Sequence, residues 1–217
     1  MDAAQGAWAK GLMVPGERAS SGAGIDERLS SALRAARCGD QDAFRRLYRA
    51  VQPRLLRYLR VLVGDDAAPV AARTWREVAA GLPGFHGDFQ RFLGWVSVIG
   101  RGRAIDHLGG RSPAEVIEER PGRARRHDHD PAGEPPSTDA AIALIASLPG
   151  DEAEAVMLRT VMGLDNAQAA MVMGGSAGAV QAVALQGLRH LADRLDQAAV
   201  PPEEPGAAAR RSRRSGR

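Results

Sequence analysis

Side chains able to do covalent or metal chemistry are sparse in this sequence, and their spacing fits none of the common catalytic patterns. The single cysteine, Cys38, rules out an intramolecular disulfide and any cysteine-based zinc site, and it falls inside a helical pattern as a small inert residue. His127, Asp128, His129 and Asp130 are the densest run of metal-type ligands, but two histidines among polar, flexible neighbours are ordinarily just solvated. No nucleophile elbow, paired-carboxylate motif or phosphate loop occurs, and Gly100 and Gly102 do not follow a strand, as a dinucleotide fingerprint would require. No enzymatic activity, metal or cofactor is expected. The chemistry on offer is that of binding. Arginine dominates the basic side chains, Lys10 being the only lysine, and a guanidinium neutralises phosphate. Gln181 and Gln186 carry amides able to bond adenine edges, although glutamine on an exposed helix face is ordinarily just a helix former.

These groups are unevenly spread. Residues 28–111 hold fifteen arginines against seven acids, a net +8, whereas residues 138–197 hold three against seven, a net −4. Residues 198–217 add five arginines against two acids, clustered at Arg210, Arg211, Arg213 and Arg214. A polyanion is therefore expected to meet the first stretch, or the tail, before the second.

The elements that must position these groups are helices. Alanine and leucine outnumber β-branched residues, and apolar positions recur at three and four, so the fold class expected is all-α. Leu29, Leu33 and Ala36 mark a first helix ending near Gly39. Asp40 is placed to cap a second, whose apolar stripe is Phe44, Leu47, Tyr48, Val51, Leu55, Leu56 and Leu59. Arg45, Arg46, Arg49, Arg54, Arg57 and Arg60 fall mostly off that stripe, and Pro53 is expected to kink or divide the helix. A third helix runs over 67–81, with Val70, Thr74, Trp75 and Val78 on one face. Phe85 to Gln90 reads as a loop before a fourth helix from about Phe92, through Trp95, to Leu108, stopped by Gly109 and Gly110. Trp75 and Trp95 sit at core spacing.

Residues 112–137 are proline-rich and of mixed charge, the composition of a flexible linker too polar to bury. Periodicity resumes at Asp139 with Ile142, Leu144, Ile145 and Leu148, breaks at Pro149-Gly150, and continues through Val156, Met157, Val161 and Met162. A short helix from Asn166 to Met173 is then separated by Gly174-Gly175 from a longer one starting near Ser176. Val180, Val183, Ala184, Leu188, Leu191 and Leu195 mark the buried side of that last helix. The boundaries that follow are a disordered N-terminus over 1–25, a four-helix domain over 26–111, a linker over 112–137, a second domain over 138–197 and a disordered basic tail over 198–217. No stretch approaches the roughly 18 apolar residues needed to span a bilayer, and no signal peptide is seen. A cytoplasmic protein without membrane contact is expected.

A short helix, a glycine-containing turn and a longer helix over 166–195 have the layout of a helix-turn-helix. Taken with the preceding segments, the chain resembles an extracytoplasmic-function sigma factor of bacterial RNA polymerase over roughly residues 28–197. The matching stretches in the first domain are Asp42-Ala43-Phe44 through Leu56-Arg57-Tyr58-Leu59, then Phe92-Leu93-Gly94-Trp95-Val96, then Arg101 to Leu108. In the second they are Leu148-Pro149 through Glu154-Ala155-Val156-Met157-Leu158-Arg159, then Gly163-Leu164-Asp165, and Gly178-Ala179-Val180 with Leu188-Arg189.

The resemblance implies a sigma domain 2-like bundle joined by a flexible linker to a sigma domain 4-like helix-turn-helix bundle. The partners implied are core RNA polymerase and promoter DNA, and an anti-sigma factor or other regulator is a further candidate. Core polymerase would be held mainly through the third helix, at Val70, Arg73, Thr74 and Glu77. The −10 element would be met by Trp95, Arg101, Arg103, His107 and Arg111, and the −35 element by Ser176, Gln181, Gln186 and Arg189. The chain departs from the family pattern where these functions lie. Ala68 to Arg73 replaces the usual acidic and polar run on the third helix, Gly102, Gly109 and Gly110 interrupt the promoter-melting helix, and Leu185-Gln186 stands where relatives often carry His-Arg. These departures keep a second reading open: a degenerate sigma-like regulator that binds polymerase or another protein without reading promoters.

Overall fold

The apolar spacing is realised as nine α-helices in the computed structural model, which describes residues 17–119 and 138–199 and contains no strand among them. The His127 to Asp130 run and the arginine tail lie outside the described residues. Helix α1 (Glu17–Arg37) begins well before Asp26, where the periodicity starts, so the disorder expected over 1–25 does not hold from Glu17 onward. Its second half docks on α2 (Gln41–Val63) through Ala32, Leu33 and Ala36.

Asp40 caps α2 as expected, its carboxylate accepting from the backbone N–H groups of Asp42 and Ala43 at 2.9 Å each. Asp40→Ala should cost about 0.5–2 kcal/mol, the usual worth of such a cap, read as a lower urea midpoint with an unchanged slope. The expected break at Pro53 is absent. Helix α2 is not divided there: it continues through Pro53, which is exposed. The buried stripe also rotates relative to the expected one: Tyr58 and Leu62 are fully buried, while Tyr48 is exposed.

Helix α3 (Ala67–Gly81) has the predicted bounds. Helix α4 (Phe89–His107) starts three residues early, because Asp88 caps it by accepting from the Arg91 N–H at 2.8 Å. Gly109 and Gly110, both at positive φ (70° and 86°), then end it where expected.

The supposed linker is only partly one. Residues Pro113–Glu119 form α5, which seats Pro113 and Ile117 in the core against α2 and against α7 (Gly150–Val156). Its Pro-Ala-Glu-Val-Ile run is a short apolar-faced segment inside a polar stretch. Helix α6 (Thr138–Ile145) precedes α7, which continues as a π-helical segment over Met157–Met162. Helices α8 (Asn166–Met173) and α9 (Ala177–Ala199) complete the described residues. The halves are not separate bodies. The buried side chains of α7 to α9 form one continuous core with those of α1 to α4, α8 lying on α4 and the π segment on α2. Among the described residues no single helix is long and apolar enough to cross a membrane.

Candidate nucleic-acid interface

The helix-turn-helix is fixed by three caps in succession. Asp165 and Gln168 form a reciprocal capping box on α8, with Gln168 N–H donating to Asp165 at 2.8 Å and Asp165 N–H to Gln168 at 3.2 Å. Gly174, at φ 79°, closes α8 in the left-handed region. The hydroxyl of Ser176 then accepts from the Ala179 N–H at 3.2 Å, so Ser176 caps α9 as the sequence suggested. Val180 and Ala184 bury on the inner side of α9. Gln181, Gln186 and Arg189 are exposed, and Gln181 accepts from the Asn166 amide at 3.4 Å. Leu188 and Leu195, expected inside, are 44% and 52% exposed, and Leu185 is 46% exposed. Gly187 takes the inner position instead: a Cβ there would lie 2.9 Å from a Val156 methyl and 3.3 Å from the Glu152 carbonyl oxygen. His190 binds Glu152 at 2.6 Å and completes the α7–α9 contact.

On α4, Trp95 is a packing residue, half-buried and stacked on Phe85 with ring centroids 4.9 Å apart. Three side chains beyond it have acidic partners. Arg103 pairs with Glu77 (2.6 Å) and Asp106 (2.8 Å), and His107 lies 3.1 Å from Asp66. Arg111 is exposed. Arg101 turns inward, donating to Glu154 of α7 at 2.8 and 3.4 Å. On α3 the four candidates separate: Val70 and Thr74 are fully buried, the Thr74 hydroxyl bonding the Val70 carbonyl at 3.0 Å, so neither can touch a partner directly. The helical period puts them on the inner face and leaves Arg73 and Glu77 exposed, with Glu77 committed to Arg103.

Sequence reasoning missed the residues at the centre of this arrangement, Tyr58 and Glu154. The Glu154 carboxylate is 0% exposed and accepts from the Tyr58 hydroxyl at 2.7 Å as well as from Arg101. Its one signal is position: an acid inside the apolar run from Ala153 to Leu158 must share the buried face. Burial, and next the Glu154 carboxylate, raise the Tyr58 phenol well above its ordinary 10.0. Burial opposes the charge on Arg101, but Glu154 outweighs it and raises that pKa too. A raised folded-state pKa stabilises fully below the unfolded value and is lost as pH rises through the folded one. Near-ultraviolet dichroism should therefore show loss of tertiary packing beginning above pH about 10. Tyr58→Phe should remove that phase, and an identical alkaline profile in the variant would refute the assignment.

No family model matches the chain. Among curated proteins it is 28% identical over 180 residues to the ECF RNA polymerase sigma factor SigD of Mycobacterium tuberculosis, spanning 78% of this chain and 84% of that one. It is also 28% identical over 173 residues to the ECF RNA polymerase sigma factor BldN of Streptomyces coelicolor, spanning 76% of this chain and 65% of BldN. Among solved structures, CnrH in complex with the cytosolic domain of CnrY superposes with a TM-score of 0.54 at 20% identity, over 78% of this chain and 98% of CnrH. With sequence similarity over more than three quarters of its length, the chain is a relative of the extracytoplasmic-function RNA polymerase sigma factors.

Proposed function

We propose that this protein is a sigma factor of the extracytoplasmic-function class, joining core RNA polymerase and directing it to particular promoters. The observation that carries this is the similarity to SigD over 180 residues, 78% of this chain. Residues 26–111 act as the polymerase and −10 unit and residues 138–197 as the −35 unit. The net +8 of the first unit supports its giving most of the DNA affinity, while α9 supplies selection through Gln181. The protein acts in the cytoplasm, where its polymerase is. The complex of CnrH with a domain of CnrY supports a regulatory protein as a third partner.

The test is transcription by purified core polymerase from a promoter library with a randomised −35 element. Gln181→Ala should lose about 1–3 kcal/mol of discrimination at one base position. One observation favours the alternative, a sigma-like regulator that does not read promoters: the outer face of α9 carries exposed Leu185 and Leu188 beside its glutamines. Under that alternative the base profile is unchanged by Gln181→Ala, or no promoter is transcribed at all.

A further inference from the structure

Gln181 is held at one end of its amide by a residue of the preceding helix. Helix α8 begins at Asn166, directly after the Asp165 cap. The Asn166 amide NH2 donates to the Gln181 Oε1 at 3.4 Å, which joins the start of α8 to the second turn of α9. The two partners differ in freedom. Asn166 is half-buried, and its own carbonyl oxygen Oδ1 is buried with no hydrogen-bond partner, whereas Gln181 is exposed. A buried, unpartnered carbonyl is a cost that a smaller apolar side chain at this position would not carry, so the residue calls for an explanation. Turned over, the Asn166 amide would bury an NH2 group with two donors to satisfy instead of one oxygen. Asn166 is therefore the anchored member of the pair and Gln181 the oriented one.

A free glutamine reads adenine with both ends of its amide: the oxygen accepts from N6 and the nitrogen donates to N7. An oxygen held by an anchored side chain cannot line up beside Nε2 on a base edge without giving up that bond. We propose that Asn166 is a positioning residue that makes Gln181 a donor-only reader. It then selects a base with a keto oxygen in the major groove, guanine O6 or thymine O4, over one with an amino group, adenine N6 or cytosine N4. This rests on the reading of α9 as the helix that meets the −35 element. The pattern differs from adenine readout in a way that can be seen. Guanine and thymine on one strand are favoured together under donor-only reading, whereas adenine readout favours an A·T pair in one sense alone. The polarity is also reversible. An aspartate in place of Asn166 accepts from Nε2 and turns Oε1 toward the base, which favours the amino bases, and an acid is welcome in the first turn of a helix.

The test is transcription by the full chain with core polymerase from the promoter library with a randomised −35 element, scored base pair by base pair. At the position whose profile changes in Gln181→Ala, the unaltered chain should favour the two pairs that place a keto base on one strand. The preference over the reversed pairs should be roughly tenfold, toward the lower end of what a base-edge contact is worth. Asn166→Asp should reverse that preference, and Asn166→Ala should level it, with the other positions unchanged in both. The added charge of Asn166→Asp weakens binding to all sequences alike, so the profile is read relative to those other positions. A preference for one sense of an A·T pair alone, or a profile that Asn166→Asp leaves as it was, overturns the positioning role while α9 stays the −35 reader. If Gln181→Ala changes no position, or no promoter is transcribed, the promoter reading falls and donor-only selection falls with it. The contact itself is checked without DNA. In the heteronuclear spectrum of the isotopically labelled free protein, the side-chain amide signals of Gln181, identified by their loss in Gln181→Ala, should shift in Asn166→Ala. Signals that stay in place overturn the contact whatever the promoter result.

Discussion

Phe92→Ala should lower the free energy of unfolding by about 3–5 kcal/mol, the usual range for emptying a core aromatic site. Phe92 has no exposed surface. Its ring sits among Phe85 at 5.7 Å, Trp95 at 6.0 Å and Phe89 at 6.4 Å, a cluster that pins the first turns of α4 and the turn before it. The cavity is walled by rings anchored at their own backbones, so collapse around it is limited and the cost belongs in the upper part of the range. The measurement is urea unfolding followed by far-ultraviolet dichroism, with the slope unchanged. A loss below about 1 kcal/mol would mean that α4 is not held by this cluster. Trp95→Ala should cost less, since that residue is only half-buried.

The second large effect is expected at Gly187. Replacing it by valine should cost about 3 kcal/mol, the upper end for overpacking, because the atoms in the way cannot turn aside. They are a methyl of the β-branched Val156, the Cβ of Glu152 at 3.2 Å and the Glu152 backbone oxygen at 3.3 Å. The higher helix propensity of valine returns only a few tenths of a kcal/mol. Because α9 is displaced from α7, the His190–Glu152 bond is lost along with the packing. The imidazole signals of His190 in the proton spectrum should then move to solvent-like positions together with the fall in stability. If stability falls while His190 is unmoved, the strain has been absorbed elsewhere.

Periodicity and capping chemistry made most of the helices readable. Helix α3 and the short helix α8 have the bounds that the sequence implies, since Gly81 to Gly84 and Gly174-Gly175 are unambiguous breaks. The failures have physical causes. Pro53 does not divide the helix, because a proline on the exposed side of a long helix costs one backbone bond that water can replace. Leu188 and Leu195 misled because a glycine can occupy the inner position of α9 when close helix approach, rather than apolar area, decides which side faces in. Helix α5 is hard to read because its seven residues lie within a long polar stretch. The candidate contact residues were readable as types and not as environments. Nothing local in the sequence states that Arg101 faces Glu154, because that pairing is made by tertiary packing across the two halves.

The partners in the Tyr58–Glu154 bond stand 96 residues apart in the chain. During synthesis at about 5–20 residues per second, Glu154 is therefore made on the order of 5–20 s after Tyr58. Helix α2 and its neighbours α1, α3 and α4 make local contacts that can form within that interval, whereas docking of α7 must wait for it. The newly made first unit thus spends several seconds with Tyr58 unpaired and its face uncovered. A refolding chain, released all at once, has no such interval, so refolding from denaturant and folding on the ribosome reach the same packed state by different orders of assembly.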